Sequence, residues 1–218
     1  LEKDVRHISQ IQNLVQFQNF IKLCAGRIGQ VVDYSALSNE IGVSANTIKN
    51  WMSVLEASYI IFRLTPYFEN FGKRIIKAPK LYFTDVGLAT YLLDIENPKQ
   101  LARDPLRGFL IENMCILELL KYRTNLALEP HLYYYRDSHQ NEVDLIVKQG
   151  NKLIPIEIKS AQTFDKSFLK GLNYFRALAG DRVEKGYLIY TGEKSQSIQG
   201  FDLLHYKDIT TIYGESEC

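Results

Sequence analysis

Residues 142–160, EVDLIVKQGNKLIPIEIKS, decide how the chain is read. Two β-rich runs flank Gly150-Asn151, and a two-residue loop with glycine first is the mark of a type II′ hairpin turn. Given that turn, the register follows by counting. Gln149 faces Lys152, Val147 faces Ile154, Asp144 faces Glu157 and Glu142 faces Lys159. Val143, Leu145 and Val147 then share an apolar face with Ile154, Ile156 and Ile158. The other face carries Glu142, Asp144, Glu157 and Lys159. Hydrogen-bonded and open pairs alternate along such a ladder, which puts both Pro155 and the Asp144/Glu157 pair at open positions. Side chains approach most closely there, with Cβ atoms about 4.5–5.5 Å apart. Like charges directly opposite destabilise a hairpin. A divalent cation between them offsets this, and Mg²⁺ or Mn²⁺ suits two carboxylates plus waters and substrate phosphates. Lys159, two residues past Glu157 on the same face, is placed to orient a water or to stabilise developing phosphorane charge. A one-residue slip would separate the two acids.

Working outward, GFLIENMCILELLKYR is apolar nearly all round and reads as a buried helix. Glu112 sits within it. Either it joins the two strand acids as a third metal ligand, or it reaches the helix edge and meets an arginine. LYYYRD reads as a strand whose Tyr133, Tyr134 and Tyr135 face the core or stack on bases, with Arg136 and Asp137 as an ion pair at its end. FDKSFLKGLNYFRALAG reads as a helix opened by Lys166 and Lys170, which touch a phosphate or, more simply, lie on a solvated face, and KGYLIYTG as the next strand.

The first half has a different texture. IQNLVQFQNFIKLCAG places Leu14, Phe17, Ile21 and Cys24 at helical spacing. In YSALSNEIGVSANTIKNWMSVLEAS, Gly42 suits the left-handed end of one helix and Ser44 the N-cap of another. Ile48, Trp51, Met52 and Leu55 form the second helix's buried stripe. Helix, glycine turn, helix is the helix-turn-helix pattern. YIIFRL and KLYFTD read as strands of a wing around TPYFENFGKRIIKAP, and VGLATYLLDI as a closing helix. Candidate nucleic-acid contacts are Lys49 and Asn50 on the second helix, with Asn46 and Ser53 beside them, and Lys73, Arg74 and Lys77 on the wing. That helix offers one positive charge between Glu40 and Glu56, so packing against another domain or subunit is an equal alternative. ENPKQLARDP reads as a linker, giving domains at 1–95 and 106–218.

Bulk properties set limits. The 26 Lys and Arg against 25 Asp and Glu leave a net charge of +1, so any basic surface must be local. No stretch approaches the roughly 18 apolar residues a membrane span needs. Three widely spaced cysteines, Cys24, Cys115 and Cys218, with no CxxC pair, suit a reducing cytoplasm. His7, His131, His139 and His205 show no metal-ligand spacing.

The residues resemble two known patterns. Asp144, then Glu157-Ile158-Lys159 after a short hairpin, with Glu112 on the preceding helix, resembles the PD-(D/E)XK nuclease superfamily. That resemblance implies a restriction-endonuclease-like αβββαβ domain, which after the N-terminal winged helix-turn-helix domain read above makes the fold α/β (α+β). It implies catalysis by Glu112, Asp144, Glu157 and Lys159, with the three acids on Mg²⁺ or Mn²⁺. Over nearly the whole chain, SALSNEIGVSANTIKNWMSVLEASYIIFRLTPYF, GKRIIKAPKLYFTDVGLATYLL, GFLIENMCILELLK and EVDLIV…IPIEIKS are similar to the C-terminal region of bacterial and archaeal AAA+-type ATPases that carry a DUF4143 domain. No G-x-x-x-x-G-K-[ST] phosphate loop is present, so ATP would bind only through a domain absent from this chain, with residues 1–12 as that domain's tail. The resemblance implies nucleic acid and the ATPase domain as partners, no membrane, an oligomer as one option, and nuclease activity. A non-catalytic nucleic-acid or protein-interaction module with the same fold is the alternative.

Overall fold

The computed structural model describes residues 14–69 and 75–214, and its content is mixed helix and sheet. The chain divides into two compact units. One comprises residues up to Leu64 together with Ala78–Leu110; the other comprises Thr65–Lys77 and the chain from Ile111 onward. Among the described residues no helix is long and apolar enough to cross a membrane.

The first unit follows its apolar periodicity. Helix α1 (Leu14–Ala25) buries Phe17, Ile21 and Cys24 as the spacing requires. Helix α2 (Tyr34–Ile41) is capped by Asp33, whose carboxylate accepts from the Ser35 and Ala36 N–H groups. It ends at Gly42, whose φ of 75° lies in the left-handed region that glycine enters without strain. Helix α3 (Ala45–Ala57) begins at Ser44, whose hydroxyl accepts from Thr47 N at 3.0 Å. Its stripe of Ile48, Trp51, Met52 and Leu55 is buried. The Trp51 ring meets Phe17 edge-on at 5.3 Å and Phe20 at 5.5 Å. Strands β1 (Ile61–Leu64) and β2 (Lys80–Phe83) pair antiparallel, Ile61 opposite Phe83, and α4 (Val86–Leu92) follows with Asp85 as its cap.

Two expectations for this half need correcting. The expected linker contains a short helix, α5 (Pro98–Leu101), because Asn97 accepts from the Lys99 and Gln100 N–H groups and Pro98 needs no N–H partner in a first turn. The segment expected to be a free wing groups with the second unit. Its backbone is committed there: Tyr67 N donates to Tyr134 O at 2.7 Å and Ile76 N to Arg136 O at 3.0 Å. Tyr67 and Ile75 are buried in that unit's core.

The second unit is built on a six-stranded sheet of order β3-β4-β5-β6-β8-β7. Helix α6 (Arg107–Asn125) precedes β3 (Leu132–Arg136), β4 (Glu142–Gln149) and β5 (Lys152–Lys159). A 3₁₀ turn (Lys166–Leu169) leads into α7 (Lys170–Ala179), followed by β6 (Tyr187–Tyr190), β7 (Gln196–Ile198) and β8 (Phe201–His205). The middle of α6 is buried, as its composition required. Strands β3, β4 and β5 run antiparallel in succession, while β5, β6 and β8 are mutually parallel. Gly150 has φ 58°, as the first position of a II′ turn demands. From Gln149/Lys152 to Leu145/Ile156 the register is the one counted from the turn. Pro155 faces Ile146, and the ladder to β6 starts only at Ile156, so the missing proline N–H costs no bond on either side.

Beyond Leu145 the strand departs from simple alternation. Tyr133 pairs with Ile146 and Tyr135 with Val143, so β4 spends two residues, Asp144 and Leu145, opposite Tyr134 alone. This bulge switches the parity of the strand. Val143 and Ile146, three apart, therefore share one apolar cluster with Leu153, Leu172 and Phe175. The expected common face of Val143, Leu145 and Val147 is corrected accordingly. Burying side chains such as Leu172 and Phe175, both fully covered, stabilises the unit by about 1.5–3 kcal/mol each. Tyr134 and Tyr135 are also fully buried, which takes them out of reach of bases.

Candidate functional site

The bulge positions the site. At the end of the β4–β5 hairpin, Ile158 N would ordinarily donate to a carbonyl across the ladder. It donates instead to Asp144 Oδ2 at 2.8 Å. Asp144 is thus anchored by the backbone of β5, beside the side chains it was expected to meet. Lys159 Nζ donates to Glu157 Oε1 at 2.5 Å and lies 3.7 Å from Asp144 Oδ2. One ammonium therefore has both carboxylates within ion-pair reach. Asp144 and Glu157 retain only 8% and 9% of their exposure, while the Lys159 side chain keeps about a third.

Glu157 is incompletely satisfied. Its Oε2 is buried and has no hydrogen-bond partner among the described residues. Helix α7 passes close over this oxygen at Gly171, where an added Cβ would come 3.3 Å from Oε2 and would collide with the Glu142 carbonyl. Burial, and then the neighbouring charge of Asp144, push the Glu157 carboxyl up to about 8, against the opposing pull of Lys159. Burial alone would lower the Lys159 ammonium, but Asp144 and Glu157 outweigh it and hold the lysine firmly protonated. Glu112, buried on α6, adds negative potential to both groups.

Asp144, Glu157 and Lys159 come together; the remaining expected site residues are placed differently. Glu112 acts on the site through its charge, yet among the described residues no three His, Cys, Asp or Glu side chains close into a metal-ligand set. Lys49 and Asn50 are exposed on α3, and the Lys49 ammonium lies 5.7 Å from the centre of the Tyr34 ring. Lys77 is exposed, 5.7 Å over Phe68, and belongs to the second unit. Lys73 and Arg74 lie outside the described residues. The expected Arg136–Asp137 pair does not form. Arg136 reaches Glu142 at 3.4 Å, and Asp137 caps the β3–β4 turn, accepting from Asn141 N, Asn141 Nδ2, His139 N and Tyr174 Oη. Cys115 is buried, which raises its thiol to about 12 and leaves it inert.

Sequence reasoning missed two features. Gly171 offers no signal until α7 is docked on the strands. A pocket of about 500 Å³ opens at the carboxyl ends of β5 and β6, where Gln162, Phe164, Tyr190, Thr191 and Gln196 converge. Its residues come from two loops that only the parallel pairing of Lys159 with Tyr190 brings together.

Comparison with known proteins places this site in a wider setting. Over 170 residues the chain is 32% identical to uncharacterized protein Rv2008c of Mycobacterium tuberculosis, covering 76% of this chain and 36% of that protein. Uncharacterized protein Mb2031c of Mycobacterium bovis matches with the same identity and coverage. Uncharacterized protein MJ1637 of Methanocaldococcus jannaschii is 28% identical over 203 residues, covering 86% of this chain and 40% of its own length. The chain thus spans well under half the length of these relatives. Residues 1–99 match the domain of unknown function DUF8612, and residues 107–209, which hold Glu112, Asp144, Glu157 and Lys159, match the domain of unknown function DUF4143.

Proposed function

We propose that the second unit hydrolyses phosphodiester bonds in nucleic acid with Mg²⁺ or Mn²⁺ held by Asp144 and Glu157. The observation that carries this reading is the buried, partnerless Glu157 Oε2 beside an anchored Asp144 and a charged lysine. A carboxylate oxygen is not normally left buried without a partner, and a bound cation would supply one. When bound, the ion would polarise the phosphodiester and acidify a bound water. Asp144, pinned by Ile158 N, keeps one oxygen fixed while the substrate arrives. Lys159 supplies positive charge where the attacked phosphate becomes more anionic, and its partial exposure leaves it free to leave Glu157 for the phosphate. Glu112 deepens the negative potential that draws the cation in. Lys49 and Asn50 on the first unit, and separately Lys73, Arg74 and Lys77 on the segment that precedes β2, are the candidate phosphate contacts, and binding through either set would weaken with salt. The parent protein in this reading is an AAA+-type ATPase, with ATP bound outside the present chain. Relatives more than twice as long leave room for such a domain.

A second reading is a module that keeps the fold without turnover. The Lys159–Glu157 ion pair favours it, because it gives Glu157 a partner without a metal. Plasmid and single-stranded DNA incubated with Mn²⁺ separate the two. The nuclease reading expects cleavage that EDTA stops and that falls by at least about a thousandfold in Asp144→Ala, the scale of a lost metal-assisted step. DNA binding without any cleavage by the wild type would leave the second reading.

A further inference from the structure

The pocket past the carboxyl end of β5, the strand that Lys159 ends, has a chemistry of its own. Lys159 ends β5 and Tyr190 ends β6, and the two are paired in register on parallel strands. Their side chains therefore leave the same face of the sheet, which is also the face of Glu157 and Leu188. The loops that follow are stitched together by Thr191 N to Ala161 O at 3.2 Å and Thr191 Oγ1 to Ser160 O at 3.1 Å. Gly192 fits between them because a Cβ would strike the Gln162 carbonyl and the Tyr190 ring. The Tyr190 hydroxyl donates to Lys194 O at 2.5 Å, holding the second loop down. The result is a crevice outside the carboxyl ends of parallel strands, where open α/β sheets bind ligands. About 500 Å³ is within the range of small-molecule sites and exceeds what one base requires.

The lining selects the ligand. Phe164 offers a half-buried ring, steadied edge-on by Phe168 at 6.4 Å. Gln162 and Gln196 each offer an amide that both donates and accepts, the requirement for the edge of any base. Glu193 and Lys194 cancel, so the lining carries no net charge and does not suit a phosphate. We propose that this pocket takes one unpaired nucleobase of a nucleic-acid strand whose phosphate lies at Lys159. The substrate is then single-stranded or frayed at the site, because a base inside a closed duplex cannot enter. This rests on the nuclease reading for the position of the phosphate, although base binding itself needs no cleavage.

The test uses the full chain and a dT oligonucleotide carrying one 2-aminopurine, in EDTA so that nothing is cut. Expected are quenching of the fluorescence on binding and at least tenfold preference over the blunt duplex of the same sequence. Phe164→Ala should weaken single-strand binding about tenfold, the scale of one lost base–aromatic stack, and Phe164→Tyr should restore it. Gln162→Ala, at an exposed position, gives a second route that leaves the fold intact, and a severalfold loss is expected there. Single-strand affinity equal in all four proteins, or no preference over duplex, would overturn the pocket. Asp144→Ala is read separately by cleavage in Mn²⁺. Cleavage that survives that change sinks the nuclease reading while the pocket stands on the binding series.

Discussion

Two buried acids in the second unit, Asp137 and Glu157, show what separates a structural carboxylate from a candidate reactive one. Asp137 is 1% exposed and Glu157 9%, so both have lost water. Asp137 is repaid in full, with four donors spread over both of its oxygens. Burial alone would raise its carboxyl, but the hydrogen bonds from Tyr174 and Asn141, and the His139 N–H, outweigh it and bring it to about 2. Among the described residues Glu157 has one donor, on one oxygen, and its carboxyl sits at about 8. Burial is common to the two; satisfaction is what differs. A fully bonded acid holds a turn, whereas a half-bonded one stores a demand for a cation or a proton.

The contrast can be broken experimentally, beginning where the effect should be largest. Asp137→Ala removes an acceptor from four donors at once and should cost about 3 kcal/mol of stability at pH 7, read by urea denaturation. Because folding lowers this group's pKa from 3.8 to about 2, its contribution is present above pH 4 and is lost as pH falls toward 2. The gap between variant and wild type should therefore close in acid. A loss that persists unchanged at pH 2 would mean that packing, not the charge, is what Asp137 supplies.

Glu157→Gln should act in the opposite sense. Folding raises this pKa from 4.5 to about 8, so between those values the unfolded chain releases a proton that the folded chain keeps. Stability from this group falls as pH rises through the window. The glutamine variant should gain on the wild type from pH 5 to pH 8, by on the order of 2 kcal/mol. A melting-temperature difference that is flat across that range would remove Glu157 from the comparison. Gly171→Ala sharpens it by crowding Oε2 and pushing α7 off the Glu142 carbonyl. A cost on the order of 1–2 kcal/mol is expected, with a shifted pH profile if the crowding reaches Glu157. Smallest of all, Ser44→Ala should cost about 1 kcal/mol in thermal melts of the whole chain with no change in pH profile, as a lone N-cap would.

Much of this was legible in the sequence because it is governed by local rules. Gly42, Ser44 and the Ile48–Leu55 stripe are set by caps and helical period. Gly150 fixes the hairpin turn, and the turn fixes the register through Leu145/Ile156. Counting stops working at the bulge, because β3 determines it: Tyr134 faces two residues of β4, a fact about pairing that no residue of β4 announces. Asp144 still reaches Glu157 and Lys159, but by bonding Ile158 N rather than by standing opposite in a regular ladder. The same limit hid Asp137, whose role depends on Tyr174 arriving from thirty-seven residues away. It also hid β7 and β8, an antiparallel pair that extends the sheet beyond β6 from a run without clear alternation. Thr65–Lys77 looked like a wing because two strands flank it, whereas its Tyr67 and Ile76 N–H groups bond to β3 residues.

Asp144 and Glu157, on the function proposed, form a cation site and Asp137 does not. Mn²⁺ titration at pH 8, followed by the free-ion electron paramagnetic resonance signal, tests it on the wild type, Asp144→Asn, Glu157→Gln and Asp137→Asn. Expected are one ion per wild-type chain, affinity reduced at least tenfold by either site change, and binding kept in Asp137→Asn. Equal Mn²⁺ affinity in the wild type and both site variants would contradict it.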